Sequence, residues 1–170
     1  MQDERYAPPK AEVEGASLDA GAAPALWNPN AAANWSLLFS PIFGTWLHML
    51  NWRALGETKR AESAKTWLMV TTLLLVGLTL GGALMPLSGL IGLRPFVSFA
   101  LLVAWYFGSA RPQAKWVGER YGGRYPRRGW TQPLLGAVVL WVAASILFAA
   151  AFGIGADLIA RLADHFSAGR

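Results

Sequence analysis

Residues 129–156 read GWTQPLLGAVVLWVAASILFAAAFGIGA, 28 residues without one Asp, Glu, Lys or Arg. A helix needs about 20 apolar residues to cross roughly 30 Å of hydrocarbon, where no water is present to satisfy an unpaired backbone. This stretch is long enough to cross with tilt. Ala137-Val138-Val139-Leu140-Trp141-Val142 is apolar on every face, as is Leu73-Leu74-Leu75-Val76. A barrel strand would alternate apolar and polar residues. The pattern therefore predicts an all-α integral membrane bundle.

Two further uncharged runs bear this out, Ala20 to Trp52 with 33 residues and Thr66 to Leu93 with 28. The 170-residue chain is 54% hydrophobic and 15% charged, against about 25% charged in soluble domains. Four apolar segments are predicted, at about 35–52, 67–83, 90–110 and 133–156, within a membrane domain of residues 31–160. A short tail, 161–170, follows. Residues 1–30 are rich in Ala, Pro and acid and predict a disordered tail, because such a composition cannot bury a core. The opening MQDERYAPPK lacks the basic and apolar regions of a cleavable signal peptide. The absence of Cys excludes a disulfide framework, a zinc–thiolate site, an iron–sulfur cluster and a Cys nucleophile.

The segment 35–52 is the ambiguous one. Ser36, Ser40, Gly44 and His48 recur every four residues and define a polar face opposite Leu38, Ile42 and Trp46. Such amphipathy suits an interfacial or re-entrant helix, or a span whose small face packs on neighbours. Pro41 weakens the helix in either case. In the third segment only 16 uncharged residues separate Arg94 from Arg111, roughly 24 Å of helix. Arg94 is therefore expected to snorkel to the far interface. The loops fix the orientation. Residues 53–66 hold four Lys or Arg and residues 111–130 hold six, whereas the turn between the second and third segments holds only Arg94. Both basic loops are expected in the cytoplasm. A spanning first segment would put the N-terminus outside, and an interfacial one would keep it inside.

Chemistry-bearing residues are few. His48, near Asn51, is a candidate proton or ligand site by virtue of its depth, although a hydrogen-bonded histidine near a helix end is the ordinary case. The second loop interleaves Lys115, Arg120, Arg124, Arg127 and Arg128 with Trp116, Tyr125 and Trp130, a pattern suited to anionic head groups or a partner. A loop held this close to lipid makes phospholipid a nearer source of phosphate than nucleic acid, and no nucleic-acid partner is expected. Gly77 and Gly81, and Ser145, Ala149 and Gly153, place small residues on single helical faces for helix packing. Every Asp and Glu lies outside the apolar segments. Neither a nucleophile set, a carboxylate pair nor a metal cluster can be assembled within them, so no catalytic residue, metal or cofactor is expected.

The stretch WNPNAAANWSLLFSPIFGTWLHMLNWRALGE, residues 27–57, resembles an uncharacterised group of small multi-pass inner-membrane proteins of Gram-negative bacteria. These share a W-N-P-x-A-A-x-W-S-L-L-F opening, an N-W pair after the first apolar segment and a Y-x-R-R-x-W basic loop. Tyr125, Arg127, Arg128 and Trp130 match the last pattern, and RYAPP at residues 5–9 resembles the tails that precede such domains. The resemblance implies a bacterial inner-membrane location and carries no activity. Three functions are weighed: a non-catalytic accessory or scaffold bound to a membrane partner or to a second copy, an immunity protein against a membrane-acting toxin, and a small channel or permease. A channel needs a polar lumen, and only the Ser36 to His48 face offers one.

Overall fold

The computed structural model describes residues 23–85 and 89–168, of which 85% are helical with no strand. Six α-helices run in order: α1 (Pro29–Leu38), α2 (Pro41–Ala54), α3 (Thr58–Leu84), α4 (Leu90–Trp105), α5 (Arg111–Tyr121) and α6 (Thr131–Ala168). A π-helical turn, Tyr106–Ala110, joins α4 to α5 in one continuous rod. Among the described residues, three helical stretches are long and apolar enough to cross a membrane: Thr58–Leu84, Gly92–Tyr121 and Thr131–Ala168. In the most apolar window of each, only 22%, 17% and 0% of residues are buried by protein. Such apolar surface facing outward is what lipid covers in a membrane protein and what a soluble one must hide.

The first predicted segment is not one helix but two. Pro41 has no N–H to donate to the preceding turn, and Ser40 ahead of it is driven to extended backbone, with φ of 161° and ψ of 165°. The chain turns there, and Pro41 starts α2 at the position a helix tolerates best. Both pieces, of 10 and 14 residues, are too short to span. The expected stripe from Ser36 to His48 is therefore broken at Ser40.

Other boundaries move as well. Order begins well before residue 31: Asn28 caps α1, its Oδ1 accepting from the amides of Asn30 at 3.0 Å and Ala31 at 3.3 Å, and Pro29 occupies the first turn. Residues 1–22, most of the predicted tail, lie outside the described residues. The basic stretch 53–66 is mostly the start of α3, and 111–121 of the second basic stretch is α5. Residues 161–168 of the expected tail belong to α6, which at 38 residues measures about 57 Å, longer than the hydrocarbon is thick. Arg94 Nε donates to Thr79 Oγ1 of α3 at 2.9 Å. Pairing across two helices satisfies the donor where water is scarce.

The protein-buried core gathers at one end of the bundle, around α1 and α2. Trp27, Ala32, Phe43 and Leu47 pack with Trp130, Leu134 and Ala137 of the α6 entry. Met49 and Trp52 pack with Ala61 and Ala64 of α3 and with Trp116 of α5. Ala33 packs with Trp105 and Ala110. At the opposite end α3 and α6 approach closely at Gly155, where an added Cβ would lie 2.6 Å from the Ala83 carbonyl oxygen and 2.7 Å from that of Leu84. Gly155 carries this crossing, whereas Gly77 and Gly153 have no neighbour within 4 Å of an added Cβ, and Ser145 and Ala149 are exposed. A Cβ added at Gly81 would lie 3.4 Å from the Leu90 side chain of α4.

Candidate functional site

The segment Leu26–Pro29 is threaded between three elements. Leu26 donates to the Pro126 carbonyl at 3.0 Å and accepts from the Arg128 amide at 2.9 Å, a single parallel bridge. Trp27 is then gripped on both sides of its peptide: its N–H donates to Asn51 Oδ1 at 3.1 Å, and Asn51 Nδ2 donates to its carbonyl at 2.8 Å. Its indole N–H donates to the Gly129 carbonyl at 3.0 Å, and the Arg128 guanidinium lies 4.6 Å from its ring. A carboxamide serves here because it offers a donor and an acceptor in one plane, matching the backbone's own pair.

Gln113 of α5 extends the network. Its Nε2 donates to the His48 carbonyl at 2.9 Å, and its Oε1 accepts from Asn51 Nδ2 at 3.4 Å. Asn51, Gln113 and His48 are each buried. Buried polar groups need partners, and here they are backbone atoms of the Leu26–Pro29 segment and of α2, together with the Asn51–Gln113 side-chain contact. The network thus ties α1, α2 and α5 into one unit.

His48 Nε2 stands 3.1 Å from the Pro29 carbonyl, so that nitrogen carries the proton and Nδ1 is the acceptor. Neither His48 Nδ1 nor Trp105 Nε1 has a hydrogen-bond partner, and the two rings meet edge to face with centroids 5.1 Å apart. Burial lowers the imidazole pKa from 6.5 to about 4, opposed by the Pro29 hydrogen bond. The fold therefore favours the neutral ring, while the unfolded chain takes up the proton first. His48 should contribute its full stabilisation above pH 6.5 and lose it progressively toward pH 4. Thermal unfolding in detergent should show wild type losing more stability than His48→Gln between pH 7 and pH 4.5. Parallel pH curves for the two proteins would refute the neutral assignment.

Ser36, Gly44 and His48 do meet, but as a packed face. An added Cβ on Gly44 would strike Ser36 Oγ and the Trp105 ring, and Ser36 Oγ is bonded to the Ala32 carbonyl of its own helix at 2.9 Å. Trp105, fully buried, fills the space beside this face. Ser40 sits at the turn between α1 and α2.

The basic and aromatic residues of 111–130 divide into two groups. On the loop, Arg127 lies 5.9 Å from the Tyr125 ring, and Trp130 pairs with Trp35 at 6.4 Å. Burial raises the Tyr125 pKa, opposed by the Arg127 charge. On α5, Trp116 meets Trp52 edge to face at 5.4 Å, with the Arg60 guanidinium 4.9 Å from Trp52 and 5.3 Å from Trp116. Arg120 lies 5.4 Å from the Trp116 ring, Lys115 lines the same side, and Arg124 is exposed on the loop.

Sequence reading missed Trp27, Trp52, Arg60, Trp105 and Gln113 as partners in this end of the molecule. Trp52 and Arg60 lie far in sequence from Trp116, and no spacing rule links them. Gln113, flanked by Arg111 and Lys115, looks like one more polar loop residue until α5 turns it inward. Trp27, Asn51 and Arg128, from three separate stretches of the chain, converge to form the clamp itself. No family model matches the chain, nor does any curated protein or solved structure.

Proposed function

We propose that the protein is a non-catalytic, multi-pass inner-membrane protein of a Gram-negative bacterium that serves as an accessory or scaffold for a membrane partner. The observation that carries this reading is α6. Ser145, Ala149 and Gly153 lie on one exposed helical face, and the most apolar window of α6 buries nothing within the chain. Small residues at four-residue spacing let a second helix approach closely. Apart from His48 Nδ1, the buried polar groups described on α1 and α2 are hydrogen-bonded within the chain, so the buried end reads as a brace more than as a lumen or a reaction centre.

Three spans put the N-terminal segment and both basic stretches on one side. Residue 26 is bonded to residues 126 and 128, and α2 leads directly into α3. By the excess of Lys and Arg that side is the cytoplasm. Paired reporter fusions should thus give a cytoplasmic signal at residue 1 and at residue 120.

The partner reading is tested by purifying tagged protein from native membranes in mild detergent. A stoichiometric helical partner, or a second copy, should co-purify and fall at least fivefold with Ala149→Leu, while membrane insertion is unchanged. Monomeric wild-type protein after cross-linking in the membrane would refute it.

A further inference from the structure

A cavity of about 380 Å³ opens where the polar start of α3 meets the π-helical turn and α5. Its size falls within the range of about 300–1,000 Å³ usual for small-molecule sites. Trp52 and Trp116 form one wall, Ser63 and Ser109 bring hydroxyls, and Arg60 and Lys115 bring charge. We infer that this cavity binds the phosphate of an anionic phospholipid head group; the inference rests on α3 and α4 crossing a bilayer.

Arg60 carries the argument. Its guanidinium lies within 5.3 Å of two indole rings that also touch each other. Such contacts hold a planar cation in place. Among the described residues its one charged partner is Glu57 at 3.8 Å, a solvent-exposed pair, which competes weakly for it. Arginine held in this way keeps forked N–H donors matched to phosphate oxygens. Lys115 is paired with Glu119 at 3.7 Å, again in solvent. Arg60, Lys115 and Glu119 together leave the lining with a net charge of +1, suited to a singly charged phosphodiester.

Position selects the lipid over free phosphate. One turn or less toward the apolar half of the rod, Tyr106 and Phe107 are exposed, as is Val70 on α3. A ligand held by its phosphate in the cavity would find apolar surface for its chains on that side and water on the other. The π-helical turn contributes Gly108 and Ser109 to the lining. Such turns insert an extra residue into a helix and recur at functional sites.

The test uses the full chain, reconstituted in vesicles of equal phosphatidylglycerol and phosphatidylcholine and released for native mass spectrometry. Wild type should retain phosphatidylglycerol in preference to phosphatidylcholine. Arg60→Gln with Lys115→Gln should reduce that retention at least fivefold, with an unchanged thermal midpoint. Arg53→Gln with Lys65→Gln removes the same charge at exposed positions outside the cavity lining and should leave retention intact. Equal loss in both pairs would mean general surface charge and would overturn the site, as would undiminished retention in the first pair. Displacement of the lipid by 20 mM inorganic phosphate would overturn the lipid and leave a free-phosphate site. Normal insertion with no preferred lipid would defeat the pocket while leaving the membrane assignment standing.

Discussion

Replacing Asn51 by Leu is expected to destabilise the fold by about 3–5 kcal/mol, the sum of two or three buried polar groups left unmatched at about 1–3 kcal/mol each. Leucine is similar in size, so the loss would be one of pairing and not of volume. The Trp27 N–H and C=O would both lose their partner, and Gln113 Oε1 its 3.4 Å contact. Water cannot easily replace them, because Asn51 is 1% exposed and Gln113 fully buried. The effect should also be local in a particular way. Once the Asn51 grip on the Trp27 peptide is lost, the bridge from Leu26 to the 126–128 loop is held by its own two hydrogen bonds, at 3.0 and 2.9 Å, and by the Trp27 indole contacts to Gly129 and Arg128. Amide exchange at Trp27 and Arg128 should therefore speed up at least tenfold, while that of mid-α6 amides changes little. A variant within 1 kcal/mol of wild type, with Trp27 still protected, would show that the clamp does not brace this end.

Gly44→Ala should cost about 2–4 kcal/mol, at the upper end for overpacking, although it adds one carbon and improves helix propensity. The new Cβ meets Ser36 Oγ on one side and the Trp105 ring on the other. Ser36 can rotate only by giving up its bond to the Ala32 carbonyl. Trp105 is buried against Ala33, Ala110 and His48 and cannot step aside without moving the top of α4. Adding Ser36→Ala to Gly44→Ala should recover about 1 kcal/mol, a coupling expected only between groups in contact. Strict additivity in unfolding measurements, or a neutral Gly44→Ala, would refute the close approach.

Both variants concern residues whose roles differ in how much a sequence can say of them. Gly44 and His48 stand out by their four-residue spacing, yet that spacing suggests a continuous polar stripe. Pro41 breaks the stripe, and the residues meet again only because α1 folds back beside α2. Asn51 is visible as a neighbour of His48, but its partner Trp27 is 24 residues earlier and Gln113 is 62 residues later. No periodicity connects such positions, since hydrogen bonds between segments depend on where the segments end up.

What the sequence determines by itself follows from local and compositional physics. Two of the three long uncharged runs overlap helices long and apolar enough to cross a membrane, as expected where backbone groups must bond within their own segment; the third, Ala20 to Trp52, overlaps none among the described residues. The basic stretches predict an orientation, whereas Pro41, expected to weaken one helix, instead starts α2. What only the tertiary structure decides is the fate of the first segment, the Gly155 crossing and the Trp52–Arg60–Trp116 group. Each depends on which surfaces are brought together, and lipid-facing apolar residues leave no sequence signature that separates them from helix-facing ones, because hydrocarbon and protein interior are nearly equal solvents for a leucine.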